Sequence, residues 1–169
     1  ILMSHGYRNL LGFDSAPAMV AAARKRVPDA KVATIVPPDL PLPDASVDAI
    51  LLLAVLTCVP GDAAQQAMLR EIHRVLRPGG LLYISDLWIQ SDERNRERYR
   101  PYHGKHGRFG VFELEEGVVL RHHDPQWVDE LTRGFSRVVV DELVVETMNG
   151  NTARGFQWFG RKSLAVQHA

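Results

Sequence analysis

The sequence predicts one α/β domain over residues 1–169, with a mainly parallel sheet, helices on both faces and an antiparallel hairpin at its C-terminal end. Three observations carry that expectation. The runs "VDAILLLAVL" at 47–56 and "LLYISD" at 81–86 are continuously apolar, as in strands buried on both faces. Helical segments separate the apolar runs, the order of a parallel sheet. Near the end, "SRVVVDELVVETMNGNTARGFQWFGRK" holds two strand-like stretches around Asn149-Gly150-Asn151, a hairpin signal.

The elements follow in chain order. Leu10-Leu11-Gly12-Phe13 is a short strand that ends on a carboxylate, Asp14. Ser15 is then a helix N-cap and Pro17 lies in the first turn, where a missing N–H does no harm. The helix ends on Arg24, Lys25 and Arg26, which suit the negative end of its dipole. "AKVATIV" at 30–36 is a strand and "PPDLPLPDAS" a Pro-rich loop. The segment "GDAAQQAMLREIHRVLRPGG" is a helix with Asp62 as cap and Gln65 at capping-box spacing. Met68, Leu69, Ile72, Val75 and Leu76 form its apolar stripe, and Pro78-Gly79 ends it in a tight turn. The strand at 81–86 ends on a second acid, Asp86. Residues 91–124 break the pattern as a polar, basic and aromatic excursion. "DPQWVDELTRGF" resumes it as a helix, with Asp124 as cap and Pro125 in the first turn.

Composition excludes several classes. Twenty basic residues balance twenty acidic ones, which argues against a general nucleic-acid binder. Cys58 is the only cysteine, so no internal disulfide forms and nothing points to an oxidising compartment. The apolar run at 49–59 is about half of the ~20 residues a membrane span needs. The opening "ILMSHGYRN" has no charged leader before an apolar segment. A cytoplasmic protein without membrane or nucleic-acid partners is expected. Residue 1 is Ile, and the chain is expected to be part of a longer one.

Four stretches in this order resemble the class I S-adenosylmethionine-dependent methyltransferases: "GFDSAPAMVAAAR", "DLPLPDASVDAILLLAVLTCVP", "LREIHRVLRPGGLLYISD" and the terminal hairpin. The resemblance spans residues 1–90 and 125–162. It implies a Rossmann-like seven-stranded sheet, of which this chain supplies six strands, and S-adenosylmethionine as cofactor. It also implies that Asp14 takes the ribose hydroxyls, for which a carboxylate accepting two hydrogen bonds is well suited. The competing role for Asp14, capping the next helix, is set aside because Ser15 is expected to do that. The resemblance places Ser15, Met19, Val36, Pro37, Leu53 and Ala54 around the cofactor.

Three departures accompany it. The family's glycine-rich loop does not occur in the sequence and is expected just before Ile1. Where relatives carry an acid for the adenine amino group stands Val36, followed by Pro37, which has no N–H to offer. Adenine is then held by apolar packing, unless Asp39 substitutes. Thr57 and Cys58 stand where relatives carry polar or aromatic residues, and Cys58 reads as a small packed hydrophobe.

In the family the segment after the fifth strand covers the methyl acceptor. Residues 91–124 are therefore expected to form a lid, with Tyr99 and Trp88 toward substrate and His103, His122 and His123 as candidate bases for the acceptor proton, or else a solvated helix with ion pairs, the reading that the charges alone favour. No metal is expected, since adjacent histidines in an extended stretch point to opposite faces. Methyl transfer needs position more than side-chain chemistry. The expected function is thus methyl transfer to a small molecule. Two alternatives remain open at this stage. One is a non-catalytic binding or regulatory module with the same fold, favoured by Val36-Pro37. The other is a dinucleotide-dependent oxidoreductase, opposed by the Pro-Gly-Gly turn and the closing hairpin.

Overall fold

In the computed structural model, which describes residues 2–147 and 150–164, the chain forms two compact units, one ending at Pro41 and one beginning at Leu42. The first is a strand-helix-strand unit. Leu11–Asp14 (β1) pairs in parallel with Lys31–Thr34 (β2), and Pro17–Arg26 (α1) connects them. Alanines and long unbranched side chains favour this helix. Pro17 sits at its start as expected, but the N-cap is Ala16, with no side-chain cap bond. Ser15 does not cap. The Asp14 carboxylate accepts the Ala16 N–H at 2.7 Å instead, closing the turn one residue earlier. Arg24 reaches the Val32 carbonyl through Nε at 3.1 Å and Nη2 at 2.6 Å, tying the end of α1 to β2.

The second unit is built on a four-stranded sheet in the order β3-β4-β8-β7: Val47–Leu53 (β3), Leu76–Leu87 (β4), Thr152–Lys162 (β8) and Phe135–Glu146 (β7). β3 and β4 are parallel, joined through Asp62–Val75 (α2); β8 runs antiparallel to both β4 and β7. β3, β4 and β7 thus run in one direction, and β8, the return strand of the closing hairpin, lies antiparallel between β4 and β7, as the sequence suggests.

The turn at Pro78-Gly79 is present as expected, but α2 ends earlier, at Val75, and Leu76 already opens β4; residues 77–80 then leave the ladder, whose register passes from Val47↔Leu76 to Ala49↔Leu81. A Cβ on Gly80 would stand 2.8 Å from the Arg77 carbonyl, and Gly79 has φ +76, so the turn needs both glycines. The cap of α2 differs. Its N-cap is Gly61, with no side-chain cap bond, and Asp62 and Gln65 are engaged in tertiary contacts. At the hairpin, Gly150 has φ +70 and the Thr147 N–H donates to the Asn151 carbonyl at 2.8 Å; Asn149 lies outside the described residues.

β4 alternates strictly. Leu82, Ile84 and Asp86 are buried, while Leu81, Tyr83, Ser85 and Leu87 are half-buried. The buried side joins Leu52, Phe156 and Trp158 with Met68, Leu69 and Ile72 of α2 and Val128 and Leu131 of Pro125–Leu131 (α4). Both helices packed on this sheet share that face. β3 does not have the two buried faces that its continuous apolarity suggests. Leu52 is buried, but Leu51 and Leu53 are 46% and 61% exposed, because only one face of the strand is covered.

The excursion is mostly structured. Glu93–His106 (α3) is capped by Asp92, which accepts the Asn95 N–H, and Val111–Glu113 (β5) pairs with Val119–Arg121 (β6). α4 starts as expected, with the Asp124 carboxylate accepting the Gln126 N–H at 2.7 Å. Among the described residues, no helix is long and apolar enough to cross a membrane.

Candidate functional site

In the first unit the expected cofactor residues cluster at the carboxyl end of β1 and beyond β2. In open α/β sheets ligands gather at that end of the strands. Asp14 is half-buried, and Oδ1 takes the Ala16 N–H. The second carboxylate oxygen keeps its acceptor capacity. Ser15, Met19, Val36 and Pro37 are exposed, Met19 by 59% and Val36 by 82%. Apolar side chains that far into water are available to a ligand surface. The argument that Ser15 frees Asp14 from capping fails, yet the carboxylate serves the turn with one oxygen only.

In the second unit Leu53 closes β3, and Ala54 follows with φ +54. A side chain in this left-handed conformation costs about 1–2 kcal/mol relative to the right-handed one. The turn that continues from it, 54–59, is held by buried polar groups from two directions. From β4, the Asp86 carboxylate takes the Thr57 hydroxyl through Oδ1 and the Thr57 N–H through Oδ2 at 3.1 Å. From α2, Gln65 Nε2 donates to the carbonyls of Leu56 at 3.0 Å and Val59 at 2.7 Å.

Gln65 is itself oriented. Its Oε1 accepts from Trp127 Nε1 at 2.7 Å, which fixes which end of the amide is the donor. Nε2 also lies 3.0 Å from His123 Nε2, and His123 Nδ1 faces the Leu87 carbonyl at 3.3 Å. Burial, with Arg121 adding to it, pushes His123 down to about 3. The ring is thus neutral, with its proton on Nδ1, and the two Gln65 Nε2 hydrogens are shared among the Leu56 and Val59 carbonyls and His123 Nε2. Burial pushes the Asp86 carboxyl up, against the bonds from Thr57 and Leu87 that favour its charged form.

The expected acceptor residues divide. His103 is exposed on α3. Tyr99, Trp88, His122 and His123 are all buried. The Tyr99 hydroxyl lies 2.5 Å from His122 Nδ1 and accepts the Gln90 N–H at 3.2 Å. Burial raises Tyr99 to about 12 and lowers His122 to about 4, so the phenol donates to a neutral imidazole. Trp88 stacks on Phe156 at a centroid distance of 4.0 Å. As expected of neighbours in an extended stretch, His122 turns toward Tyr99 and Phe112, and His123 toward Gln65 and Phe156. Among the described residues, no group of three or more His, Cys, Asp or Glu side chains is placed to hold a metal ion.

Beside these residues, Asp62 binds two guanidiniums, Arg108 through Oδ2 and the fully buried Arg121 through Oδ1 at 2.7 Å. Both cations sit 4.8 Å from the Trp127 ring centroid. This cluster fastens the end of the excursion to α2. An open depression of about 350 Å³ lies next to it, lined among others by Ile89, Arg108, Phe109 and Trp127.

Sequence reasoning missed Gln65 as a node because its spacing suits a capping box. The signal was available, since Gln65 falls on the same helical stripe as Met68, Leu69 and Ile72. A lone amide on a core stripe announces a buried hydrogen-bond centre.

Comparison with known proteins gives a consistent result. Residues 1–84, one residue short of half the chain, match a family model described as a methyltransferase domain. A probable S-adenosylmethionine-dependent methyltransferase of Mycolicibacterium smegmatis is 40% identical over 78 residues; the match takes in 46% of this chain and 29% of that protein's length. The chain thus spans less than a third of this relative. A crystallised S-adenosylmethionine-dependent methyltransferase from Methanosarcina mazei superimposes with a TM-score of 0.84 at 22% identity, over 91% of this chain and 82% of its own. The 1,6-didemethyltoxoflavin-N1-methyltransferase of Burkholderia thailandensis, solved with 1,6-didemethyltoxoflavin and S-adenosylhomocysteine, superimposes with a TM-score of 0.65 at 21% identity, over 95% and 64%. At these identities the structures establish the fold alone.

Proposed function

We propose that the chain is a member of the class I S-adenosylmethionine-dependent methyltransferase family, that it binds S-adenosylmethionine and that it passes the methyl group to a small-molecule acceptor. The observation that carries the reading is Asp14, a carboxylate at the carboxyl end of a parallel strand whose turn bond takes Oδ1 and, among the described residues, leaves Oδ2 available. That oxygen accepts from the ribose hydroxyls. In the first unit Met19, Val36 and Pro37 are assigned to adenine; in the second unit, taken by itself, Leu53 and Ala54 are assigned to cofactor contact. Their exposed side chains suit apolar contact, which fits a Val36-Pro37 stretch that offers the base no carboxylate and no Pro37 N–H.

When bound, the sulfonium supplies an activated methyl group. The chain contributes position and dryness. Asp14 would hold the ribose of the bound cofactor, which would supply its methyl to an acceptor lone pair with the thioether as leaving group, and the acceptor proton would pass to solvent. Tyr99, His122 and His123 are too deeply buried to meet an acceptor in this conformation, so we assign them to the support of the acceptor side. The acceptor itself is assigned to the depression past the end of β4, where Ile89 and Phe109 offer apolar contact and Arg108, Asp124 and Gln126 offer polar groups. That the Burkholderia relative was solved with a small heteroaromatic molecule agrees with this class of acceptor. The location proposed is the cytoplasm, as the single cysteine suggests.

Calorimetric titration of S-adenosylhomocysteine tests the reading. Asp14→Ala removes hydrogen bonds to a charged group, worth ~1.5–3 kcal/mol, and should weaken binding about ten- to a hundredfold. Equal affinity in the two proteins would dismiss the assignment. Measured methyl transfer to any acceptor separates the enzyme from a non-catalytic module of the same fold.

A further inference from the structure

Residues 54–59 carry more buried polar support than a connecting turn requires. The segment begins with Ala54 at φ +54, whose N–H donates to the Ser85 carbonyl at 2.8 Å. An alanine in this region is disfavoured unless its surroundings hold it there. The surroundings here are specific. Asp86, 4% exposed, receives both the hydroxyl and the N–H of Thr57, and Gln65, fully buried, donates to Leu56 and Val59. The amide oxygen of Gln65 accepts from Trp127, and His123 lies against the amide nitrogen. Donors and acceptors thus clamp the turn three, two and five residues beyond Ala54, at Thr57, Leu56 and Val59.

We propose that Asp86 and Gln65 are positioning residues that hold the turn after β3 so that Ala54 stays left-handed and presents Leu53 and Ala54 in the shape that binds the cofactor. This rests on the methyltransferase reading above and adds to it the device that shapes the segment after β3. Neither side chain touches the cofactor. They act through the backbone of 54–59, and Thr57 is the link from Asp86. Glycine at position 54 would adopt the same conformation with no side-chain penalty and would not need to be held. That difference gives the proposal its own signature.

The test is calorimetry with S-adenosylhomocysteine on the full chain, with thermal midpoints recorded alongside. Thr57→Val, which keeps the shape and removes the hydroxyl, should weaken binding about tenfold, and Thr57→Ser should stay within about twofold of the parent. Adding Ala54→Gly to Thr57→Val should restore most of the lost affinity, although it repairs no hydrogen bond. A purely structural role for Thr57 would leave that double variant no better than the single one, and this would overturn the proposal. So would a Thr57→Val protein that binds like the parent while Asp14→Ala does not, which leaves the cofactor reading standing. A parent that does not bind, or an Asp14→Ala protein that binds as well as the parent, removes the reading and the proposal together. Should Thr57→Val fail to fold, amide exchange in the parent decides. The Thr57 N–H, which donates to Asp86, should gain protection on ligand addition, and unchanged protection counts against the brace.

Discussion

The two faces of the four-stranded sheet share one set of backbones and differ in almost everything else. On one face Leu82, Ile84, Phe156 and Trp158 are at most 1% exposed beneath α2 and α4. On the other, Leu51, Tyr83, Phe159 and Val139 lie in a row of paired residues across all four strands, and none is fully buried. The side chains are equally apolar. The strands therefore record in their sequence a capacity for burial that only one face uses in this structure. Continuous apolarity is evidence of pairing, and exposure is decided by what packs on top.

Substitutions can break this contrast or sharpen it. The largest effect is expected on the covered face. Trp158→Ala should cost about 3–5 kcal/mol in urea unfolding, a loss of packing that the surrounding side chains do not refill. An equal cost for Leu51→Ala would erase the distinction between the faces.

Next in size is the response to acid, in which the two buried histidines carry the largest shifts. His122 titrates near 4 and His123 near 3 when folded, against ~6.5 when unfolded. The unfolded chain therefore binds protons first, and stability is lost as pH falls below ~6.5 toward these values, by roughly 3 kcal/mol for His122. Asp86 works the other way. Its raised carboxyl favours the folded state at low pH and withdraws that contribution as pH rises through its folded value. Urea midpoints between pH 7.5 and 4.5 should fall with acid, and His122→Gln should flatten the slope. An unchanged slope would mean that His122 is not buried neutral.

Smaller still is the effect of Phe109→Ala at the depression. It should change turnover of an acceptor severalfold and leave S-adenosylhomocysteine affinity as it was, which kinetics and calorimetry together can read. The smallest effect is on the open face, where Leu51→Ala should shift stability by no more than about 0.5–1 kcal/mol, since the side chain is 46% exposed already.

These contrasts also separate what the sequence discloses from what it hides. Strands, helices and their order follow from local periodicity, and the Pro78-Gly79-Gly80 turn from the geometry that only glycine allows. The family resemblance adds the likeness of fold. Caps were misassigned at Ser15, Asp62 and Gln65 because polar residues at a helix start serve a local turn or a distant partner with the same atoms. Asp62 binds Arg121 and Gln65 binds Trp127, 59 and 62 positions away. No window of sequence contains both ends of such a bond. The candidate site shares the same limit. Asp14 and Ala54 were found from motifs, whereas Thr57, Asp86 and Gln65 emerge only when β3, β4 and α2 are brought together.

The placement of the tryptophans has an optical consequence. Trp88, Trp127 and Trp158 are all within 6% of full burial, and all lie in the unit that begins at Leu42; no tryptophan precedes it. Their emission is then a gauge of that unit alone, quenched or red-shifted when its interior floods, and blind to the fate of the strand-helix-strand unit. Far-ultraviolet ellipticity sees both. Two melting curves recorded with these two kinds of light will superimpose only if the units come apart in a single event.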